Sequence, residues 1–148
     1  MARRPEPKHK TPAEVLADLQ AGYQEASFMG PAEAQRYLTK VLTAQHSLPN
    51  AVKFFAYDML AEASYENGDT TACLEAVEGA QKYLPAAQED AARAFADYLP
   101  QARFYERGIS ALSDTDEIAQ AMALCDKAIA MGLGRAYEAK RHSLERRL

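Results

Sequence analysis

Glycine and proline divide this chain into segments of similar length, and apolar residues within each segment have helical spacing. These stop signals fall at Gly30, Pro49, Gly68, Pro85, Gly108 and Gly132. Between them apolar residues recur every three or four positions, and no window alternates for long enough to be a β-strand. The pattern predicts an all-α fold with helices over residues 12–28, 31–46, 51–67, 70–84, 86–106, 115–131 and 134–147. We also expect Pro100 to kink or split the fifth helix.

Helix-start signals precede several of these segments. Thr11 is followed by proline at the first helical position and by Glu14 three residues after the cap, which makes a capping box. The sequence at residues 30–33 repeats this arrangement, and residues 114–117 form a third box. Asp69 can cap the helix that begins with the next residue.

The segments recur with a regular period. Gly68 follows Gly30 by 38 residues, and Pro85 follows Pro49 by 36. Helices of similar length joined by short turns must pack antiparallel to their neighbours. A period of this size is typical of helical-hairpin repeats rather than of a bundle.

The repeat is clearest in residues 54–85, where small residues stand in positions that a single helix would give to leucine or isoleucine. An aromatic residue, a leucine–small pair, a Gly-Asp turn, two small residues around a bulky one and a closing proline follow in order: Tyr57, Leu60, Ala61, Gly68, Asp69, Cys73, Val77, Ala80 and Pro85. This order resembles the tetratricopeptide repeat, a family of paired antiparallel helices of about 34 residues. The family's second aromatic position is occupied here by Ser64. Small side chains let helix axes approach within the usual range of about 8–10 Å, so they are the packing surface of the hairpin.

Two further units match the family less completely. A first hairpin in residues 13–46 has its apolar and small positions at Leu16, Leu19, Tyr23, Ala34, Leu38 and Val41. A third unit, with a linker near residues 107–114, has them at Ala91, Ala94, Phe95, Tyr98, Ala121, Cys125 and Ala128. Residues 134–147 resemble the extra amphipathic helix that seals a repeat stack. The prediction is a single domain over residues 11–148, made of about three antiparallel helical hairpins plus a C-terminal capping helix. A disordered basic tail over residues 1–10 precedes it.

Charge is distributed unevenly along the chain. Residues 13–134 contain 8 basic and 18 acidic residues, a net charge of −10, whereas residues 1–12 and 135–148 each sum to +3. An acidic body argues against a nucleic-acid groove in the repeats. The basic ends leave open a contact with an anionic surface through the tails.

The resemblance also implies a binding surface. Members of the family bind an extended peptide or a helix on a concave face lined by the first helix of each pair. Carried over to this chain, the positions on that face are Phe55, Asp58, Met59, Glu62, Tyr65 and Glu66, with Glu14, Asp18 and Glu25 from the first unit. Some relatives grip a terminal carboxylate there with basic residues, but Asp58 and Glu62 would repel such a ligand. We therefore expect an acidic groove for a basic or amphipathic segment of another protein, the alternative being a solvated helix face.

Nothing in the sequence predicts catalysis, a metal site or a cofactor. The three histidines, His9, His46 and His142, are far apart and belong to no zinc motif. Cys73 and Cys125 fall on packing positions, so they are predicted to be buried thiols. No signal peptide begins the chain, and no run reaches the roughly 18 apolar residues of a membrane span. We expect a reduced, cytoplasmic setting and no enzymatic activity.

The predicted function is that of a protein–protein interaction module or scaffold. Two alternatives remain at this point. Some bacterial secretion chaperones are acidic proteins of this size and repeat type, which is a likeness of fold only. A regulator could contact nucleic acid through the basic tails, although the charge distribution disfavours it. The acidic groove of one copy could also bind the basic tail of another copy, head to tail, which would give a homo-oligomer.

Overall fold

The computed structural model describes residues 10–44, 48–90 and 103–148, and within these ranges the only regular structure is α-helix. The helices are α1 (Pro12–Met29), α2 (Pro31–Ala44), α3 (Asn50–Glu66), α4 (Thr70–Asp90), α5 (Phe104–Asp114), α6 (Ile118–Ala130) and α7 (Arg135–Glu145). Each helix packs against the next one along the chain. The predicted all-α fold of packed neighbouring helices is confirmed.

The first helices of successive hairpins lie side by side. α1 packs against α3, and α3 against α5, in addition to their contacts with the second helices. Polar contacts show that α3 and α5 run parallel, because Asp58 binds the start of α5 while Tyr65 binds Asp114 at its end. The stack therefore has one layer formed by α1, α3 and α5. The second helices α2, α4 and α6 each pack against helices of this layer.

Two of the predicted helix caps are confirmed. The hydroxyl of Thr11 accepts the backbone N–H of Glu14 at 3.2 Å and donates to its carboxylate at 3.1 Å. Asp69 Oδ1 accepts the backbone N–H of Ala72 at 3.1 Å at the start of α4. The third predicted capping box, at residues 114–117, is wrong. α5 runs to Asp114, and α6 starts at Ile118 without a side-chain cap.

Small residues form the contact between α3 and α4, as the sequence predicted. Ala61, Cys73 and Ala80 are all fully buried. Gly79 permits an even closer approach of the two helices, because a Cβ placed on it would lie 2.5 Å from the ring of Tyr57. That ring stacks on Tyr83 with a centroid separation of 5.8 Å. The backbone of α4 at Gly79 thus packs directly against the aromatic ring of Tyr57 on α3.

Gly79→Ala is therefore expected to destabilise the fold even though alanine is the better helix former. Alanine gains about 1 kcal/mol of helix propensity over glycine, but overpacking a filled contact costs roughly 1–3 kcal/mol. We expect a net loss of about 1 kcal/mol in urea unfolding. In a Tyr57→Leu background the ring is gone, so the same substitution should be neutral or stabilising. A gain in stability in the otherwise wild-type chain would show that Tyr57 has room to move.

Two predicted boundaries are wrong for reasons of packing. α4 does not end at residue 84 but continues through Pro85 to Asp90. Leu84 and Ala87 are both buried, so the apolar face continues past the proline and offsets the one hydrogen bond that proline cannot donate. Gly108, predicted as a stop, lies inside α5. A Cβ there would come within 2.7 Å of Leu124 and 2.9 Å of Val77, so glycine permits α5 to pack closely against α6 and α4.

The third hairpin consequently consists of α5 and α6, with α5 over the residues predicted as a linker. Three backbone hydrogen bonds close the α3–α4 turn, and their donors are the N–H groups of residues 67, 68 and 69. The same three bonds recur 48 positions later in the α5–α6 turn, donated by residues 115, 116 and 117. Both turns contain a left-handed residue, Gly68 at φ 73° and Asp116 at φ 63°. The spacing exceeds the roughly 34 residues of a simple repeat.

Most of the predicted fifth helix, with Pro100, Ala91, Ala94, Phe95 and Tyr98, lies outside the described residues, as does the predicted tail up to residue 9.

α7 closes the C-terminal end of the stack. It packs against α6 through a buried Leu144. The ring of Tyr137 meets the edge of Tyr105 on α5 at a centroid distance of 6.4 Å. The opposite side of α7 is exposed.

Candidate functional site

The predicted site residues of α3 lie on the side of the helix that faces α1 and α5. We call the surface formed by Tyr23, Met59, Glu62, Tyr65, Glu66 and Arg107 the first-helix surface. Tyr23 of α1 lies next to the acidic residues of α3: burial raises its pKa to about 12, and the charges of Glu62, Glu66 and Asp58 add to the rise. Arg107 of α5 approaches the same acids from the other side.

Asp58 holds the start of α5 against α3. Its Oδ1 accepts hydrogen bonds from the backbone N–H groups of Arg103 at 2.8 Å and Phe104 at 2.7 Å. These are orphan donors at the start of α5, which has no side-chain cap of its own. Burial raises the pKa of Asp58 to about 6, although both hydrogen bonds act in the opposite direction. Asp58 therefore caps a neighbouring helix and does not present a free carboxylate to a partner.

Glu62 joins α3 to α5 through two arginines. Its carboxylate lies 3.1 Å from the guanidinium of Arg107 and 3.9 Å from that of Arg103. Its side chain is 25% exposed. Burial disfavours the charge on Arg107, but Glu62 outweighs this effect and raises the pKa of Arg107. Most of the charge of Glu62 is thus compensated within the molecule.

Tyr65 belongs to the same network. Its hydroxyl donates to Asp114 Oδ2 at 2.9 Å, and this hydrogen bond raises the pKa of Tyr65. The guanidinium of Arg107 lies 5.5 Å from the centre of its ring, which is a cation–π distance. Tyr65 therefore links the ends of α3 and α5 while one side of its ring remains at the surface.

The apolar candidates differ in accessibility. Phe55 is only 4% exposed, and its ring packs edge-on against Phe54 at 5.1 Å, so it belongs to the core. Met59 is half-buried and packs against the core, with part of its side chain at the surface. Glu66 is exposed and, within the described residues, forms no ion pair. Among the candidates on α3, Glu66 and Met59 are the side chains that remain most available to a partner.

The three acids predicted on α1 lie away from those on α3. Glu14 is used in the capping box, and Asp18 forms an exposed ion pair with Lys10. Asp18 and Glu25 lie near Tyr37 of α2, whose pKa is raised by burial and further by these two carboxylates. The structure therefore separates the acids of α1 from Glu62 and Glu66. The nine predicted residues do not form one groove.

Sequence reasoning missed the basic residues of this surface. Arg103 and Arg107 were assigned to the end of the fifth helix and to a linker, because Gly108 was interpreted as a stop. Tyr23 was assigned to packing alone. The first-helix surface consequently carries mixed charge, with the arginines of α5 beside the acids of α3, where an acidic groove was predicted.

A separate cleft lies beside α2. It is an open cleft of about 580 Å³ between α2 and the α3–α4 turn, lined in part by Arg36, Lys40 and Thr39. Gln35 crosses its floor, donating to Asp69 at 2.8 Å and accepting from Asn67 at 2.8 Å. The amide and carboxylate groups of this floor are thus satisfied by one another.

Reactive groups are few in the part of the chain that the structure describes. Cys73 and Cys125 are free and buried, as predicted. Burial raises the pKa of Cys73 to about 11 and raises that of Cys125 as well, so neither thiol is activated as a nucleophile. Within the same ranges no cluster of three or more His, Cys, Asp or Glu side chains could hold a metal ion.

None of the described helices combines the length and apolar character needed to cross a bilayer. Searches against family models, curated proteins and solved structures find no match to this chain.

Proposed function

We propose that this protein is an interaction module that binds a helical or extended segment of another protein on the first-helix surface. The observation that carries the proposal is the side-by-side arrangement of α1, α3 and α5, which gives one continuous surface with contributions from three hairpins. The resemblance of residues 54–85 to the tetratricopeptide repeat supports the same conclusion, since that family binds partner segments on the equivalent face.

The chemistry of the surface describes the segment that would fit. Met59 and Tyr23 offer partly buried apolar contacts. Glu66 supplies an exposed negative charge, and Tyr65 supplies an accessible ring beside Arg107. An amphipathic segment with apolar residues toward Met59 and a basic residue toward Glu66 would satisfy these groups. Glu62 steers the segment weakly, because its own charge is compensated.

The test compares two charge reversals in exposed glutamates. Glu66→Lys changes the first-helix surface, and Glu75→Lys makes the same change on the exposed side of α4. Both residues are exposed, and circular dichroism would establish that both variants fold. A partner captured by the wild type and then purified should bind Glu66→Lys at least about tenfold more weakly, a loss of about 1.4 kcal/mol.

The control variant Glu75→Lys should retain wild-type affinity for that partner. Equal affinity of all three proteins would show that the partner binds elsewhere and would overturn the assignment. Substitutions of Asp58 or Glu62 are unsuited to this test, because both side chains hold α5 against α3.

A further inference from the structure

The outward side of α1 carries an ordered row of exposed residues, which we call the α1 stripe. It consists of Glu14, Asp18, Ala21 and Glu25. These positions lie on successive turns of one side of the helix, away from the buried Leu16 and Leu19. Among the helices that the structure describes, α1 packs against α2 and α3.

The outward side of α7 carries a complementary row, the α7 stripe, with an arginine at each end and a histidine between them. It consists of Arg135, Ala139, His142 and Arg146, all exposed. Leu144, on the far side of the helix, is buried against the rest of the stack. The two stripes therefore occupy the two ends of the stack, one on the first helix and one on the last.

The two stripes match residue by residue when the helices run antiparallel. Steps of four, three and four residues separate the members of each stripe. In the antiparallel register Glu14 meets Arg146, Asp18 meets His142, Ala21 meets Ala139, and Glu25 meets Arg135. The two alanines fall between the charged pairs, where small side chains permit close approach of the helices. A parallel register of the same stripes would set Asp18 against an alanine and Ala21 against a histidine.

Exposed apolar residues fall at the same end of this register. Phe28 is 93% exposed and follows Glu25 by one turn of α1. Leu133 is 47% exposed and comes just before Arg135 in the turn that precedes α7. Antiparallel pairing of the stripes brings these two side chains together, so an apolar contact would cover both.

We propose that α7 of one copy of this protein docks antiparallel on α1 of a second copy, stripe against stripe. The occupant is a second copy because each end of the stack carries the complement of the other end. The contact is head to tail, so it uses two different surfaces of the same chain. It also continues the antiparallel packing between consecutive helices that builds each copy. The internal pairs of Asp18 with Lys10 and of His142 with Glu145 are exposed, so they can exchange partners at little cost.

Two properties of the association follow from its size and chemistry. A contact between two short helices is at the small end of protein interfaces, so the association is weak and depends on concentration. Its charged pairs lie near solvent and are screened by salt. Sedimentation equilibrium of the wild type should show an average mass above that of the monomer at low ionic strength. The average mass should fall toward the monomer as salt is added.

A charge swap tests the head-to-tail contact between the two stripes. The α1 variant carries Asp18→Lys and Glu25→Lys, and the α7 variant carries Arg135→Glu and His142→Glu. Each variant alone should associate at least tenfold more weakly than the wild type, because the reversed charge at residue 25 then faces Arg135, and those at residues 135 and 142 face Glu25 and Asp18. An equimolar mixture of the two variants should recover association through two matched contacts, the reversed stripes with each other and the unmodified α7 of one variant with the unmodified α1 of the other. Glu75→Lys with Glu78→Lys on the exposed side of α4 is the matched control, and it should associate as the wild type does.

Three outcomes would overturn the proposal. They are a wild type that remains monomeric at all concentrations, a mixture of the two variants that does not associate, and a control that loses association as the stripe variants do. A second measurement addresses proximity. Ala21→Cys on one copy and Ala139→Cys on another should form a disulfide between chains under mild oxidation, because these two positions meet in the antiparallel register. The two native cysteines are buried, so they should not compete for this bond. Failure to form this bond while association persists would place the contact elsewhere.

Discussion

Phe54→Ala is expected to lower the free energy of unfolding by about 3–5 kcal/mol, the usual cost of truncating a buried aromatic residue. Phe54 is 0% exposed and lies at the junction of the second and third hairpins. Its ring contacts Phe55 at 5.1 Å and Phe104 of α5 at 5.7 Å, both edge-on. Truncation would remove both aromatic contacts and leave a cavity that rigid helices on either side cannot close.

Phe28→Ala is the matched control for this prediction. It makes the same chemical change in a side chain that is 93% exposed, so stability should change by no more than about 0.5 kcal/mol. Urea unfolding followed by circular dichroism measures both variants, with equal slopes indicating that the comparison is valid. A loss below about 1 kcal/mol for Phe54→Ala would mean that the junction does not depend on this ring.

Asp58→Ala is expected to cost about 2 kcal/mol, which is the cost of losing a strong helix cap. The substitution leaves the backbone N–H groups of Arg103 and Phe104 without their acceptor. Phe104 is buried, so water cannot fully replace the lost bond. Asp58→Asn keeps an acceptor oxygen in the same place and should retain most of the stability at neutral pH.

The same residue predicts a pH dependence of stability. Burial raises the folded-state pKa of Asp58 to about 6, above the 3.8 of an ordinary aspartate. Between these values the folded protein holds a proton that the unfolded chain releases. The stability contributed by this group is therefore fully present below the unfolded pKa and is lost as the pH rises through about 6. A shift of about two units corresponds to at most about 3 kcal/mol.

The measurement compares the wild type with Asp58→Asn across this pH range. Other carboxylates, such as Asp69 with its lowered pKa, titrate in both proteins and cancel in the difference. The wild type should gain stability relative to Asp58→Asn as the pH falls from about 7 to about 4. A difference that stays constant with pH would show that the pKa of Asp58 is not raised in the folded state.

Local signals in the sequence predicted the helices well where neighbouring residues alone set the structure. Thr11 and Asp69 cap α1 and α4 because their side chains bond to amides only three residues away. The small residues Ala61 and Cys73 are buried as their spacing indicated. A capping bond and a helical face are both properties of a short stretch of chain, so the sequence contains all the information that they need.

The candidate site was harder to predict, because its residues act across helices that are distant in sequence. Asp58 was expected to face a partner, yet it caps α5, whose first residue lies 46 positions further on. Glu62 was assigned to an acidic groove, but Arg107 compensates it. Neither contact could be inferred while α5 was placed too early in the chain, and that error came from interpreting Gly108 as a stop.

The sequence by itself determined that this chain is helical, where most helices begin, and which small residues lie between paired helices. Only the tertiary structure decided that α4 passes through Pro85, that Gly108 lies inside a helix, and which charges on α3 remain free. The third result depends on which residues α5 places against α3, and the first two share one physical reason. Glycine and proline weaken a helix by about 1–3 kcal/mol, and burial against a neighbouring helix can exceed that cost. Whether a break forms therefore depends on packing partners that the local sequence does not specify.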